Sequence, residues 1–150
     1  MKNSIILTAF FILIKIAAQA QGTFDNRKLC IRKFITSAYI DKKDASFIIN
    51  NYMYSAPDDT IHRKKKEALI AALLGKLISE TGSVINSSDY KISKYAEFAG
   101  KKVKFNTSDD KNFVVLSVKN KPIIYFAFKG TRIISFYHIN KGSLSYFLIA

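Results

Sequence analysis

One cysteine, Cys30, stands in 150 residues, so no disulfide can form within a single chain and the fold must rest on its core. Cys30 itself reads as a buried helix residue. Histidine is nearly as scarce, with only His62 and His138. Neither has a second ligand at local chelating spacing, which argues against a metal site. Asp109-Asp110 reads as a turn, because a calcium loop needs further oxygen ligands at alternating spacing. The chain carries no phosphate-cradling glycine loop, no nucleophile signature, no internal repeat and no low-complexity tract, and nothing in it implies a cofactor. Acidic residues are few as well, 11 Asp plus Glu against 24 Lys plus Arg. A field of that sign raises solubility and attracts polyanions.

What is present begins with a compartment signal. Lys2 supplies a positive start, an apolar run follows from Ile5 to Ile14, and Ala18-Gln19-Ala20 ends it with small residues. The run is interrupted by Lys15 and falls short of the about 20 apolar residues of a membrane span. Residues 1–20 therefore read as a cleaved secretory signal and 21–150 as one α+β domain without a transmembrane segment, exported to a periplasm or the medium. Loss of Lys2 and Lys15 with the signal leaves the domain basic. An exported protein meets few nucleic acids, so acidic glycans or anionic lipid surfaces are the partners its charge favours. The run Arg63, Lys64, Lys65 and Lys66 is the densest candidate anion-binding surface.

Periodicity divides the domain in two. Asp25 or Asn26 can cap a first helix carrying Leu29, Cys30, Ile31, Phe34, Ile35 and Ala38, which should stop near Asp41. Asp44 offers a cap for a short second segment with Ala45, Phe47, Ile48 and Tyr52. Ser55-Ala56-Pro57-Asp58 signals a third helix with Ile61, Ala68, Leu69, Ala72, Leu73 and Leu77 on its apolar stripe, running to about Glu80 and stopping at Gly82. Five or six strands follow, at about 90–98, 102–107, 113–119, 123–128, 132–139 and 144–149. Their separators are too short for parallel crossovers, so the expected fold is two or three helices packed on a five- or six-stranded antiparallel meander.

Two-residue turns at Lys129-Gly130 and Lys141-Gly142 would place Phe126 opposite Ile133, Ile124 opposite Ser135 and Tyr137 opposite Tyr146. One face then carries Ile124, Phe126, Phe128, Ile133, Ser135, Tyr137, Ile139, Leu144, Tyr146 and Leu148. The other carries Ile123, Tyr125, Ala127, Ile134, Phe136, His138, Phe147 and Ile149. Carrying the register back through Asn120-Lys121 would add Phe113, Val115 and Ser117 to the first set, and Val114, Leu116 and Val118 to the second. Both faces are apolar, which is more than a soluble monomer leaves open. Helices on both sides, a curl of the sheet around a pocket, or a second copy of the chain could each cover the second face.

Helices followed by a curled antiparallel sheet, with Tyr137 and Tyr146 beside the small Ser135, resemble the cystatin-like rolls of the nuclear-transport-factor-2-like superfamily. The resemblance is architectural and spans most of residues 21–150. It implies a scaffold that holds a small ligand between sheet and helix or dimerises through its sheet, and no particular activity. The leading expectation is thus a non-enzymatic binding or assembly module using Ser135, Tyr137, Tyr146, Phe126 and Ile133 as ligand pocket or homodimer interface, since tyrosine joins apolar area to a hydroxyl. The alternatives are a secreted metal-independent phosphodiesterase or ribonuclease-like hydrolase, with His62 and His138 as base and acid, and a basic surface protein that holds polyanions.

Overall fold

A computed structural model describes residues 2–55, 63–87, 89–107 and 110–149, with side chains from Gln19 onward and Ser87 by its backbone alone. Helix α1 spans Lys2–Ile35 without a break, so Asp25 and Asn26 lie inside it and cap nothing. The Asp25 carboxylate instead accepts from the Gln21 amide one turn earlier and pairs with Lys28. A π-helical turn, Thr36–Ile40, closes the helix at Asp41, whose N–H donates to the Thr36 carbonyl, close to the expected stop. Asp44 caps α2 (Ala45–Tyr52) by accepting the Phe47 N–H at 2.8 Å. The first part is therefore two helices.

Helix α3 spans Arg63–Ser87, and residues 56–62, with the Pro57 start signal, lie outside the described residues. Its buried stripe is Ile70, Leu73, Leu74 and Leu77, rotated from the expected one: Ala68, Leu69 and Ala72 face solvent. Gly82 does not end it. A helix-interior glycine costs about 1 kcal/mol against alanine, whereas burying an isoleucine gains about 1.5–3 kcal/mol. Ile85, one turn beyond Gly82, is buried in the core, and that gain carries the helix onward. The helix is long and apolar enough to cross a bilayer, yet Ile70, Leu73, Leu74, Leu77 and Ile85 are used in this core.

The class is α+β, with six strands in antiparallel ladders among the described residues. Strands β1 (Lys91–Lys94), β2 (Phe113–Val118), β3 (Lys121–Lys129) and β4 (Arg132–Ser135) form one sheet in that order, and β5 (His138–Lys141) and β6 (Leu144–Phe147) form a separate hairpin. The stretch at 102–107 is extended but joins no ladder; only a parallel bridge ties Phe105 to Ser145. A further short helical turn, Asp110–Asn112, leads into β2.

Turn chemistry moves the register away from the sequence expectation. Lys119 and Asn120 both take positive φ, 48° and 60°, the left-handed pair whose twist suits a two-residue hairpin. Val118 therefore pairs with Lys121, and a bulge at Ile123, opposite the Leu116–Ser117 step, leaves Leu116 opposite Ile124 and Val114 opposite Phe126. Val114 and Leu116 thus join the helix-side core, while Phe113 and Val115 belong to the other, the reverse of the expected assignment. At the next turn Gly130, with φ 60°, and Thr131 are the loop residues, so Ile133 pairs with Phe128 rather than Phe126. A second bulge then brings Ser135 opposite Ala127 rather than Ile124. The chain bends at Phe136-Tyr137, which divides the expected 132–139 strand between two sheets and sends Phe136 into the helix-side core, 5.3 Å from Phe34. In the last hairpin Gly142-Ser143 is the loop, so Tyr146 pairs with Ile139, and Tyr137 meets Leu148 through the Leu148 N–H.

The helix-side core is built from Ile31, Phe34 and Ile35 of α1, Ile48 and Ile49 of α2, and the α3 stripe, packed on Val114, Leu116, Ile124, Phe126, Phe128 and Ile133. Phe34 meets Phe126 edge-on at 5.6 Å. Arg27, itself buried, fastens α1 to the strand ends: its guanidinium donates to the Gly130 and Lys111 carbonyls and to Asn112 Oδ1 at 2.7–3.1 Å.

Candidate functional site

The second sheet face is covered by the chain itself. Phe113, Val115, Tyr125 and Ala127 of the sheet pack against Phe98 and Phe105 from the 95–107 segment, with Phe147 from β6 alongside. Two hydroxyls tie this cover down: Tyr95 donates to the Val103 carbonyl at 2.7 Å, and the Tyr125 oxygen accepts the Val103 N–H at 3.0 Å. Burial pushes both phenols above their ordinary pKa, so both stay protonated at neutral pH.

The cover does not close completely. Between the sheet and the β5–β6 hairpin lies a cleft of about 330 Å³. Its walls are Phe105, Phe113, Phe128, Ile134 and Phe147, with Tyr146 and Ile149 at the edge and Asn106, Asn112 and Ser145 among its polar groups. Phe105 stacks on Phe147 with centroids 4.4 Å apart and planes 3° from parallel, and Phe113 meets Phe147 edge-on at 4.8 Å. Ile149 is 69% exposed and Tyr146 36%, large apolar surfaces left open at the mouth, whereas Phe105 and Phe113 in the wall are 7% exposed. Apolar walls with a few polar groups are the usual composition of a small-molecule site, and the volume lies at the lower end of that range.

The residues singled out in the sequence do not share one surface. Phe126 and Ile133 are wholly buried in the helix-side core. The Ser135 hydroxyl is buried 2.6 Å from the Leu148 carbonyl oxygen, which ties the chain end to the bend after β4. Tyr137 is half-buried with the Lys76 ammonium 5.2 Å over its ring. Only Tyr146 stands at the cleft. The space between helices and sheet, where the roll resemblance implies a ligand, is filled by Phe34, Phe126 and Phe128.

His138 lies half-buried on the second face, 5.5 Å from the Phe105 ring and 5.4 Å from that of Tyr125. Burial lowers its pKa, so the imidazole is neutral at pH 7. His62 falls outside the described residues. Among the described residues no three His, Cys, Asp or Glu side chains gather as metal ligands. In the basic run, Arg63 pairs with Glu67 at 3.1 Å and donates to Asn50 Oδ1, Lys66 donates to the Tyr54 carbonyl, and Lys64 and Lys65 face solvent. Cys30 is only half-buried, its sulfur 3.9 Å from the Tyr52 carbonyl oxygen, and burial raises its pKa despite Arg132 and Lys33 nearby.

Phe105 and Phe113 were missed as cleft walls because 102–107 reads as an edge strand and the bulge between β2 and β3 reverses the face of Phe113. One signal was legible: Phe147 and Ile149 already alternate away from Tyr146. No protein-family model, curated protein or solved structure matches this chain.

Proposed function

We propose that this chain is an exported, non-enzymatic binding module that holds a small apolar or amphipathic molecule in the cleft between the sheet and the β5–β6 hairpin. The observation that carries the reading is the unfilled aromatic cleft itself, with Phe105 and Phe147 stacked in its wall and Ile149 exposed at its mouth. A planar or branched apolar group fits against those rings, and the Asn106 and Ser145 side supplies hydrogen-bonding groups for a polar end. Export is supported by the Lys2 start, the apolar run and the Ala18-Gln19-Ala20 ending. Residues 19–22 are exposed, and Phe24 is the first buried side chain among those described, so cleavage after Ala20 leaves the core whole.

Titration with a fluorescent apolar probe tests the reading. The wild-type protein should bind one equivalent saturably, and Ile149→Asp, which places a charge at the mouth, should weaken binding at least about tenfold with an unchanged unfolding midpoint. Equal affinity in both proteins would place the probe elsewhere and reject the cleft.

A further inference from the structure

A second cleft, of about 390 Å³, opens where α1 meets α2 and the β3–β4 turn. Two cations from distant parts of the chain line it, Lys33 of α1 and Arg132 of β4, and no Asp or Glu does so among the described residues. Arg132 is oriented by the end of α2: its Nη1 donates to the Asn50 and Asn51 carbonyls, which leaves Nε and Nη2 without a hydrogen bond among the described residues. Lys33 makes no hydrogen bond or ion pair among them. The Asn26 amide, also without a partner there, joins the same wall. The positive surface continues outward through Asn50, whose side-chain oxygen accepts from Arg63, and through Tyr54, whose ring lies 4.3 Å beneath the Lys129 ammonium.

A guanidinium with one edge fixed and another open, an ammonium and the NH2 of a primary amide face one concave space, with no carboxylate among the described residues that line it. We infer that this cleft binds a phosphate-type oxyanion, held by Arg132 and Lys33, whose organic remainder lies along Leu29 and Tyr52. The planar fork of arginine matches two oxygens of a tetrahedral anion, and lysine adds a point charge. Leu29 is 51% exposed at the cleft, an apolar surface suited to a carbon chain and not to free inorganic anion alone. The inference is independent of the aromatic cleft on the other face.

Cys30 lines this cleft and is the only cysteine, so its alkylation by neutral iodoacetamide reports occupancy without a label. Inorganic pyrophosphate should slow alkylation saturably and severalfold, whereas sodium chloride of equal ionic strength should not. Lys33→Gln, a change at an exposed position, should raise the pyrophosphate concentration needed by roughly tenfold, and Lys33→Arg should restore it. Equal slowing by chloride, no slowing by pyrophosphate, or protection unchanged in Lys33→Gln would each overturn the inference. Sedimentation with phosphatidylglycerol vesicles separates the two sources of such a group. Co-sedimentation that pyrophosphate reverses identifies a lipid headgroup, and pyrophosphate protection without co-sedimentation identifies a soluble phosphate ester.

Discussion

The rings of Phe105 and Phe147 lie 4.4 Å apart and within 3° of parallel, although 42 positions separate them in the chain. Phe105 belongs to an extended segment with no ladder of its own, held to β6 by the Asn106 N–H to the Ser145 carbonyl and the Ser145 N–H to that of Lys104. The stack therefore fastens both covering pieces of the second face to each other. Phe105→Ala should lose about 3 kcal/mol of stability and the less buried Phe147→Ala about 2 kcal/mol. The double variant should lose less than the two together, by about 1 kcal/mol, because the contact is shared. Urea unfolding of the three variants measures this, and strict additivity would deny the stack an energetic role.

Arg27 reaches three acceptors on two separate segments from a buried position on α1. Arg27→Ala would strip the Gly130 and Lys111 carbonyls of a charged donor and should cost about 3 kcal/mol. Arg27→Lys should recover only part of that, since an ammonium cannot span the same fork. Thermal unfolding of the two variants checks both magnitude and order.

Much of the helical half was legible and much of the strand half was not, for a physical reason. Caps act locally: the Asp44 oxygen finds the Phe47 N–H three residues on, and sequence alone predicts it. Strand faces depend on turns and bulges, where a single residue changes the side of everything after it. Nothing marks Ile123 or Ile134 as a bulge site: the first bulge exchanges the faces of Val114 and Phe113 against expectation, and the second moves Ser135 opposite Ala127. The pocket expected around Ser135, Tyr137 and Phe126 disperses for the same reason, and the cleft forms from side chains on the other face.

Two glycines should respond with opposite signs. A Cβ at Gly82, in the interior of α3, would meet only Ile78 Cγ2 at an ordinary 3.8 Å, so Gly82→Ala should stabilise by about 0.5–1 kcal/mol. A Cβ at Gly100 would collide with the Asn120 carbonyl oxygen and the Phe98 ring, so Gly100→Ala should destabilise by at least about 1 kcal/mol. Chemical denaturation midpoints decide both.

His138 gives the second face a pH dependence. Burial holds its folded pKa below the ordinary 6.5, so the unfolded chain binds the proton first as acid is added. Stability should be complete above that value, fall as pH drops through 6.5, and level off only below the folded pKa. Unfolding midpoints at neutral and mildly acidic pH should differ more for wild type than for His138→Gln. An identical pH response in the variant would assign the effect to other groups.

The measurement that tests the binding reading most directly is native mass spectrometry of the protein purified from an export-competent host. We predict a species trimmed after Ala20 that carries one additional small mass, reduced or lost in Ile149→Asp. A bare chain in both wild type and variant, under conditions that preserve weak complexes, would contradict a ligand-holding role for the aromatic cleft.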